Sequence, residues 1–283
     1  MTIIQKIHRI KSSKFTRIEY LGGGQLNSDN LASVEQVCQM IQKAKRVVCI
    51  LGNQVANDCG APDFTSDFSS YEIEEKYHYS PEEILSSGFY GARTVKFYDF
   101  YKKEVISHEL EPNNVYHGLK RLQDYGNLYR VISLNYYGLP KKAGLKNVIE
   151  LNGNIYKNWC TKCGRIYNID YMRNHSHVPM CVRCDKAIRP GVRLYGELVK
   201  NHVMTKAVNA CQRADLLIVL GTNLYDETIR SYITNYSSDH LILITENKHF
   251  TDKKADYLLY ASIKDVFPKI CEAVISSDGS INE

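Results

Sequence analysis

Apolar residues in this chain follow two alternating spacings. Short runs, mostly apolar, occur at Arg46–Leu51, Leu128–Leu134, Asn147–Leu151, Asp215–Leu220, Leu241–Thr245 and Tyr257–Ala261. Runs of this length and composition predict strands buried on both faces. Between them the spacing changes to that of a helix. Val34, Val37/Cys38 and Ile41 share one face, with a cap expected in the 28–30 region. Val115, Leu119 and Leu122 share another after Pro112, and Val203, Ala207, Cys211 and Val266, Ile270, Val274 repeat the pattern. Alternating β and α elements predict an α/β fold with a Rossmann-like, doubly wound parallel sheet. Two stretches break the alternation. One is helical in pattern, most clearly over Ser80–Val105 and taken as about 66–110; the other, about 155–189, carries neither period. Both read as insertions, which gives a 1–30 arm, a main domain over 31–275 with its sheet in 31–154 and 190–275, and a loose polar 276–283 tail.

The 155–189 insertion carries its own chemistry. Cys160-x-x-Cys163 and Cys181-x-x-Cys184 are two tight pairs with 17 residues between them. Each pair can clamp one side of a tetrahedral ion while the intervening chain loops back to close the site. That spacing predicts a Cys₄ zinc ribbon with a structural Zn²⁺, in which thiolates fill every position and leave none for a substrate. His175 and His177 lie inside the loop, but four cysteines already suffice.

The other five cysteines, Cys38, Cys49, Cys59, Cys211 and Cys271, are scattered in apolar surroundings and leave an odd count. With no apolar leader in Met1–Phe15, this predicts a reducing, cytoplasmic location. No stretch approaches the roughly 18 apolar residues of a membrane span. The net charge of +5 contains no long basic block, so a nucleic-acid partner has little support.

The first predicted strand runs into Gly52-Asn53-Gln54-Val55-Ala56-Asn57-Asp58-Cys59-Gly60-Ala61-Pro62-Asp63-Phe64. A strand that turns through glycine into a helix is where a Rossmann-like fold receives a pyrophosphate. Further motifs follow in order: Pro112…His117, Ser133-Leu134-Asn135, Glu150-Leu151-Asn152-Gly153, Arg189-Pro190-Gly191-Val192-Arg193-Leu194-Tyr195-Gly196-Glu197, Gly221-Thr222-Asn223-Leu224 and Val266-Phe267-Pro268. Set around the cysteine pairs, they make the chain resemble the sirtuins, NAD-dependent protein deacylases, over roughly residues 33–270. The resemblance implies NAD at the switch point of the sheet, near Gly52, Asn53, Gln54, Asp63, Phe64, Asn135, Gly221, Thr222 and Asn223. It also implies an acyl-lysine peptide or protein partner paired along Val192–Glu197.

The chain departs from the sirtuin pattern where that pattern carries chemistry. The family's general base is a histidine; here Asn152 stands in its place, beside the retained Asn135. An amide cannot take a proton near neutrality, and losing a positioned base costs on the order of 10²–10⁴ in rate. Leu134 and Tyr137 replace a glutamine and an aspartate, Gln54 replaces a loop glycine, Thr65 an arginine and Thr245 an asparagine. The expectation is a zinc-containing NAD protein, a deacylase by family, with altered or lost activity and NAD binding weakened by Gln54 and Thr65. The alternatives are ADP-ribosyl transfer or NAD hydrolysis, and a non-catalytic nucleotide-sensing or partner-binding scaffold. His78, His108 and Glu150 are open as replacement bases, and His117 is expected to pack within its helix.

Overall fold

The computed structural model describes residues 32–276 apart from 226 and 239; the expected 1–30 arm and nearly all of the 276–283 tail lie outside this range. The first helix, α1 (Val34–Lys43), starts at a capping box between Ser33 and Gln36, not in the 28–30 region. Strand β1 (Val47–Leu51) and the short helix α2 (Asn53–Asn57) follow. The helical insertion is a run of short helices: α3 (Asp67–Tyr77), α4 (Pro81–Ile84), α5 (Ser87–Ala92) and α6 (Thr94–Phe100), the last continuing as a π-helical turn through Val105. Helix α7 (Asn114–Tyr125) is capped by Asn113, one residue after Pro112, and leads to β2 (Leu128–Ser133).

After helix α8 (Leu139–Lys142) and strand β3 (Val148–Glu150), the cysteine-rich insertion folds as its own small sheet. Strands β4 (Asn158–Cys160), β5 (Ile166–Tyr167) and β6 (Ile188–Arg189) pair antiparallel in the order β5-β4-β6, with helix α9 (Ile169–Asn174) beside them. The main domain then resumes with α10 (Asn201–Arg213), β7 (Leu216–Leu220), α11 (Glu227–Thr234), β8 (Leu241–Thr245), β9 (Tyr257–Tyr260) and α12 (Ile263–Ser276).

The large sheet has the order β3-β2-β1-β7-β8-β9 and every pairing is parallel. The six predicted strand runs are its six strands. Side-chain alternation divides each strand between two cores. In β1, Val47, Cys49 and Leu51 join one cluster with α1, α7, α12 and the insertions. Val48 and Ile50 join the other, closed by Ala207, Ala210 and Cys211 of α10 and Ile229 and Tyr232 of α11. A central strand buried on both faces has no polar side, which explains its unbroken apolar sequence.

Strand order reverses between β1 and β7, so the loops leaving those strands diverge and open a crevice at their carboxyl ends. The chain is tightly closed just behind that crevice. A Cβ on Gly52 would run into the carbonyl of Gly221, so the two glycines let the loops touch. No described helix is long and apolar enough to cross a membrane.

Candidate active site and cysteine cluster

Four loops meet at the carboxyl end of the sheet: those after β1, β2 and β3, and the segment after β6. They enclose a cleft of about 220 Å³ lined by Asn53, Asp63, Phe64, Asn135, Asn152 and Arg193, with Tyr101, Tyr136 and Tyr137 among the others. Register places its two most consequential side chains together. Gly153 and Val192 form an antiparallel bridge, and the Arg193 amide donates to the Asn152 carbonyl at 2.8 Å, so residues 152 and 193 face each other. Gly153, at φ 72°, and Gly191 make the crossing possible: a Cβ on Gly153 would overlap the Gly191 carbonyl, and one on Gly191 would overlap those of Asn154 and Lys157.

Asn152 is held at both ends of its amide. Its Nδ2 donates to the Leu134 carbonyl at 2.5 Å, and its Oδ1 accepts from Arg193 Nε at 2.8 Å. The position expected to carry a base therefore carries a neutral group held against a cation. Asn135 is buried; its Oδ1 accepts from the Tyr137 amide at 3.2 Å, and its Nδ2 donates to the Tyr116 hydroxyl at 3.4 Å. Arg193 Nη1 donates to the Glu197 carbonyl at 3.0 Å. Glu197 fixes the segment itself: both carboxylate oxygens take Arg189 Nη2 at 2.6 Å, and one also takes the Leu194 amide at 2.8 Å.

Asp63 is the one carboxylate lining the cleft among the described residues, and its Oδ1 is held by the Thr65 amide and hydroxyl at 3.0 and 2.6 Å. The hydroxyls of Tyr101 and Tyr137 are buried without a hydrogen-bond partner among the described residues. Burial pushes both phenols well up, so they stay protonated and able to donate.

The structure divides the predicted nucleotide residues. Asn53, Asp63, Phe64, Asn135 and Asn152 line one cleft; Gly52, Gln54, Gly221, Thr222 and Asn223 do not. Gly52, Gln54 and Gly221 pack on one another where the loops after β1 and β7 cross, and the Gln54 amide donates to the Gly221 carbonyl at 3.3 Å. Asn223 Oδ1 accepts from the Tyr225 amide at 3.0 Å. None of the open candidates for a base lines the cleft. His78 lies in a second cavity between the helical insertion and residues 176–178. The His108 carbonyl accepts from Arg173, and Glu150 Oε2 is shared by Lys141 and Asn154. Sequence reasoning did not single out Arg193, although a cation inside the alternation Val192-Arg193-Leu194 is the signal that marks it. Tyr101 carries no such signal; only folding brings α6 and its π-helical turn to the cleft.

The cysteine cluster is a separate centre. The four Sγ atoms lie within 4.8 Å of one another, with Cys160–Cys184 at 3.3 Å and Cys163–Cys181 at 3.6 Å. These distances exceed a disulfide bond and fit the edge of about 3.8 Å of a tetrahedron with 2.3 Å metal–sulfur bonds. The two knuckles are built alike. Gly164 (φ 71°) and Asp185 (φ 51°) each turn left-handed after their pair, and their amides donate to the carbonyls of Cys160 and Cys181 at 2.9 Å. The Tyr167 hydroxyl donates to Cys181 Sγ at 3.0 Å and brings that thiol down to about 6, toward the thiolate a metal needs. The cluster is compatible with zinc binding.

A doubly wound parallel sheet with a cleft at its switch point and an inserted four-cysteine ribbon defines a Rossmann-like nucleotide-type architecture. The Sir2 family model matches residues 52–226, and a domain of unknown function, DUF6564, matches residues 192–282. The chain is 33% identical over 235 residues to an NAD-dependent protein deacetylase of Clostridium tetani, covering 83% of this chain and 95% of that protein. It is 30% identical to the corresponding protein of Clostridium acetobutylicum, covering 87% and 99%. Among solved structures, a Sir2 homologue–NAD complex superposes with a TM-score of 0.78 at 23% identity, covering 89% of this chain and 97% of that one. A Sir2 structure with a deacetylated p53 peptide gives 0.74 at 24%, covering 88% and 99%. The chain belongs to the Sir2 family.

Proposed function

We propose that this protein is a zinc-stabilised, NAD-binding Sir2 protein whose cleft lacks the base needed for efficient lysine deacetylation. The observation that carries this reading is the Asn152–Arg193 pair: an amide with its donor and acceptor both engaged, beside a fixed cation. No proton can be taken there near neutral pH.

NAD fits the remaining residues. The crevice lies at the switch point of the sheet, and its neutral donors and acceptors, Asn53, Asn135 and the buried Tyr101 and Tyr137 hydroxyls, suit ribose hydroxyls and a carboxamide. The relatives named as NAD-dependent deacetylases and the NAD complex of a structural neighbour support the same ligand. When bound, NAD supplies an electrophilic sugar carbon. Asn135, held by Tyr116 and Tyr137, would contact the ribose or carboxamide of that cofactor, and Phe64 and the buried tyrosines would keep water from the cleft. Val192–Glu197 would receive a partner segment, and the cysteine cluster would hold one structural Zn²⁺. Deacetylation of an acetyl-lysine peptide at saturating NAD, followed by mass spectrometry, tests the reading. Wild-type turnover is expected to fall about 10²–10⁴-fold below that of a base-containing Sir2 enzyme; comparable turnover would refute it.

A further inference from the structure

The second cavity, of about 500 Å³, shares no lining residue with the active-site cleft. It lies where the helical insertion meets the ribbon, and its walls combine two chemistries. Ile84, Phe89 and Tyr98, all buried, give it an apolar wall, and the ribbon adds Val178. Lys76, Lys96, Lys102 and Lys103 line it too, against a single carboxylate, Asp99. Two of these lysines are already neutralised: Lys103 pairs with Asp99 at 2.6 Å and Lys76 with Glu104 at 2.7 Å. The other two are not. No carboxylate oxygen of the described residues lies within 4.0 Å of Lys96 or Lys102. Lys96 Nζ rests over the Tyr79 ring, 5.0 Å from its centroid. Lys102, partly buried in the π-helical turn, donates to the His175 and His177 carbonyls of the ribbon. Burial lowers its amine from the usual value, and the Asp99 charge opposes only part of that shift. Tyr101, the neighbouring residue, lines the active-site cleft instead, so the π-helical turn separates the two cavities.

We propose that this cavity is a binding site for a small amphipathic anion, with an apolar body against Ile84, Phe89 and Tyr98 and a carboxylate or phosphate head taken by Lys96 and Lys102. A bare inorganic ion would answer the two ammonium groups and leave the apolar wall uncovered. A neutral apolar molecule would cover the wall and leave desolvated cations without a counter-charge, which is costly. The volume lies within the range of about 300–1,000 Å³ typical of small-molecule sites. The inference does not depend on NAD binding or deacetylation in the cleft.

The test is calorimetric titration of the full zinc-loaded chain with octanoate, octyl phosphate, octanol and inorganic phosphate. At least one of the two amphipathic anions should bind about tenfold or more tightly than both octanol and inorganic phosphate, the scale of one charge-assisted hydrogen bond. The tighter of the two identifies the head group. Lys96→Gln should remove about tenfold of that affinity, and Lys96→Arg should retain most of it. Lys96 is exposed and has no carboxylate partner to strand, so its substitution leaves the fold in place. Lys102→Gln should weaken binding similarly; if it also alters limited proteolysis of residues 155–189, Lys96→Gln decides alone. Arg193→Leu, in the other cavity, should leave the affinity unchanged. Equal binding of octanol and the two anions, equal binding of inorganic phosphate, no measurable binding of either anion at millimolar concentration, or an affinity that survives Lys96→Gln would overturn the inference. Loss of the affinity in Arg193→Leu would place the anion in the active-site cleft and overturn it as well.

Discussion

Restoring a histidine at position 152 should not by itself restore deacetylation. Arg193 Nε lies 2.8 Å from Asn152 Oδ1, and an imidazole placed there would meet the same guanidinium. A unit cation about 4 Å away acts with about 4 kcal/mol at an effective dielectric near 20, before solvent and relaxation reduce it. A charge so placed typically lowers an imidazole by about 1–3 pH units from its usual value near 6.5. The sign follows from charge: the guanidinium opposes imidazolium, the form a base becomes when it takes a proton. Of the ~10²–10⁴-fold a positioned base contributes, Asn152→His alone should recover less than about tenfold. Combined with Arg193→Leu, the same histidine should recover about 10²-fold or more, with its pH–rate midpoint about 1–3 units higher than in the single variant. Quantifying deacetylated peptide and released nicotinamide from pH 5 to 9 at saturating NAD separates the two variants. A full gain from Asn152→His alone would refute the coupling to Arg193. So would a folded, NAD-binding double variant with no gain.

Removing the metal should unfold the ribbon. Structural zinc contributes about 10–16 kcal/mol in small zinc modules at neutral pH, so chelation or Cys181→Ser should lower the thermal midpoint and expose residues 155–189 to limited proteolysis; an unchanged digestion pattern would contradict a structural role. Gly153→Ala places a Cβ against the Gly191 carbonyl at φ 72°, which should cost about 2 kcal/mol or more in chemical denaturation and loosen the Asn152–Arg193 contact. In the helical insertion, burial would raise Glu104, but hydrogen bonds from Lys76 at 2.7 Å and Tyr77 at 2.5 Å outweigh it and hold the carboxyl below its usual range. A depressed carboxylate stabilises the fold above its unfolded value near 4.3. Denaturation curves should therefore show the insertion losing stability as pH falls below about 4, and Glu104→Gln should flatten that dependence.

The sheet was legible because its strands are buried on both faces and so appear as unbroken apolar runs, and the ribbon because metal ligation ties cysteine identity to fixed spacing. The helical insertion was legible only in outline. Its helices are short and capped at Ser66, Ser80 and Ser86, and α3 has little amphipathic bias because only Ile73 of its residues is buried. At the site, motif order pointed to Asn135 and Asn152, which line one cleft, and showed an amide at residue 152 where the family pattern has a histidine. What the sequence did not show is contact: the facing of Asn152 and Arg193 depends on two glycine crossings, Gly153 and Gly191, between segments about forty residues apart. Tyr101 reaches the cleft from the helical insertion, outside the segments that carry Asn152 and Arg193.

Calorimetric titration of the zinc-loaded protein with NAD is the most direct test, carried to millimolar ligand and repeated on Asn135→Ala. Saturable binding that weakens in Asn135→Ala, with wild-type deacetylation about 10²–10⁴-fold below that of a base-containing Sir2 enzyme, is the expected result. Efficient deacetylation with Asn152 in place would contradict the assignment of a baseless cleft. Absence of NAD binding would show that the packing of Gln54 against Gly221 has closed the nucleotide site.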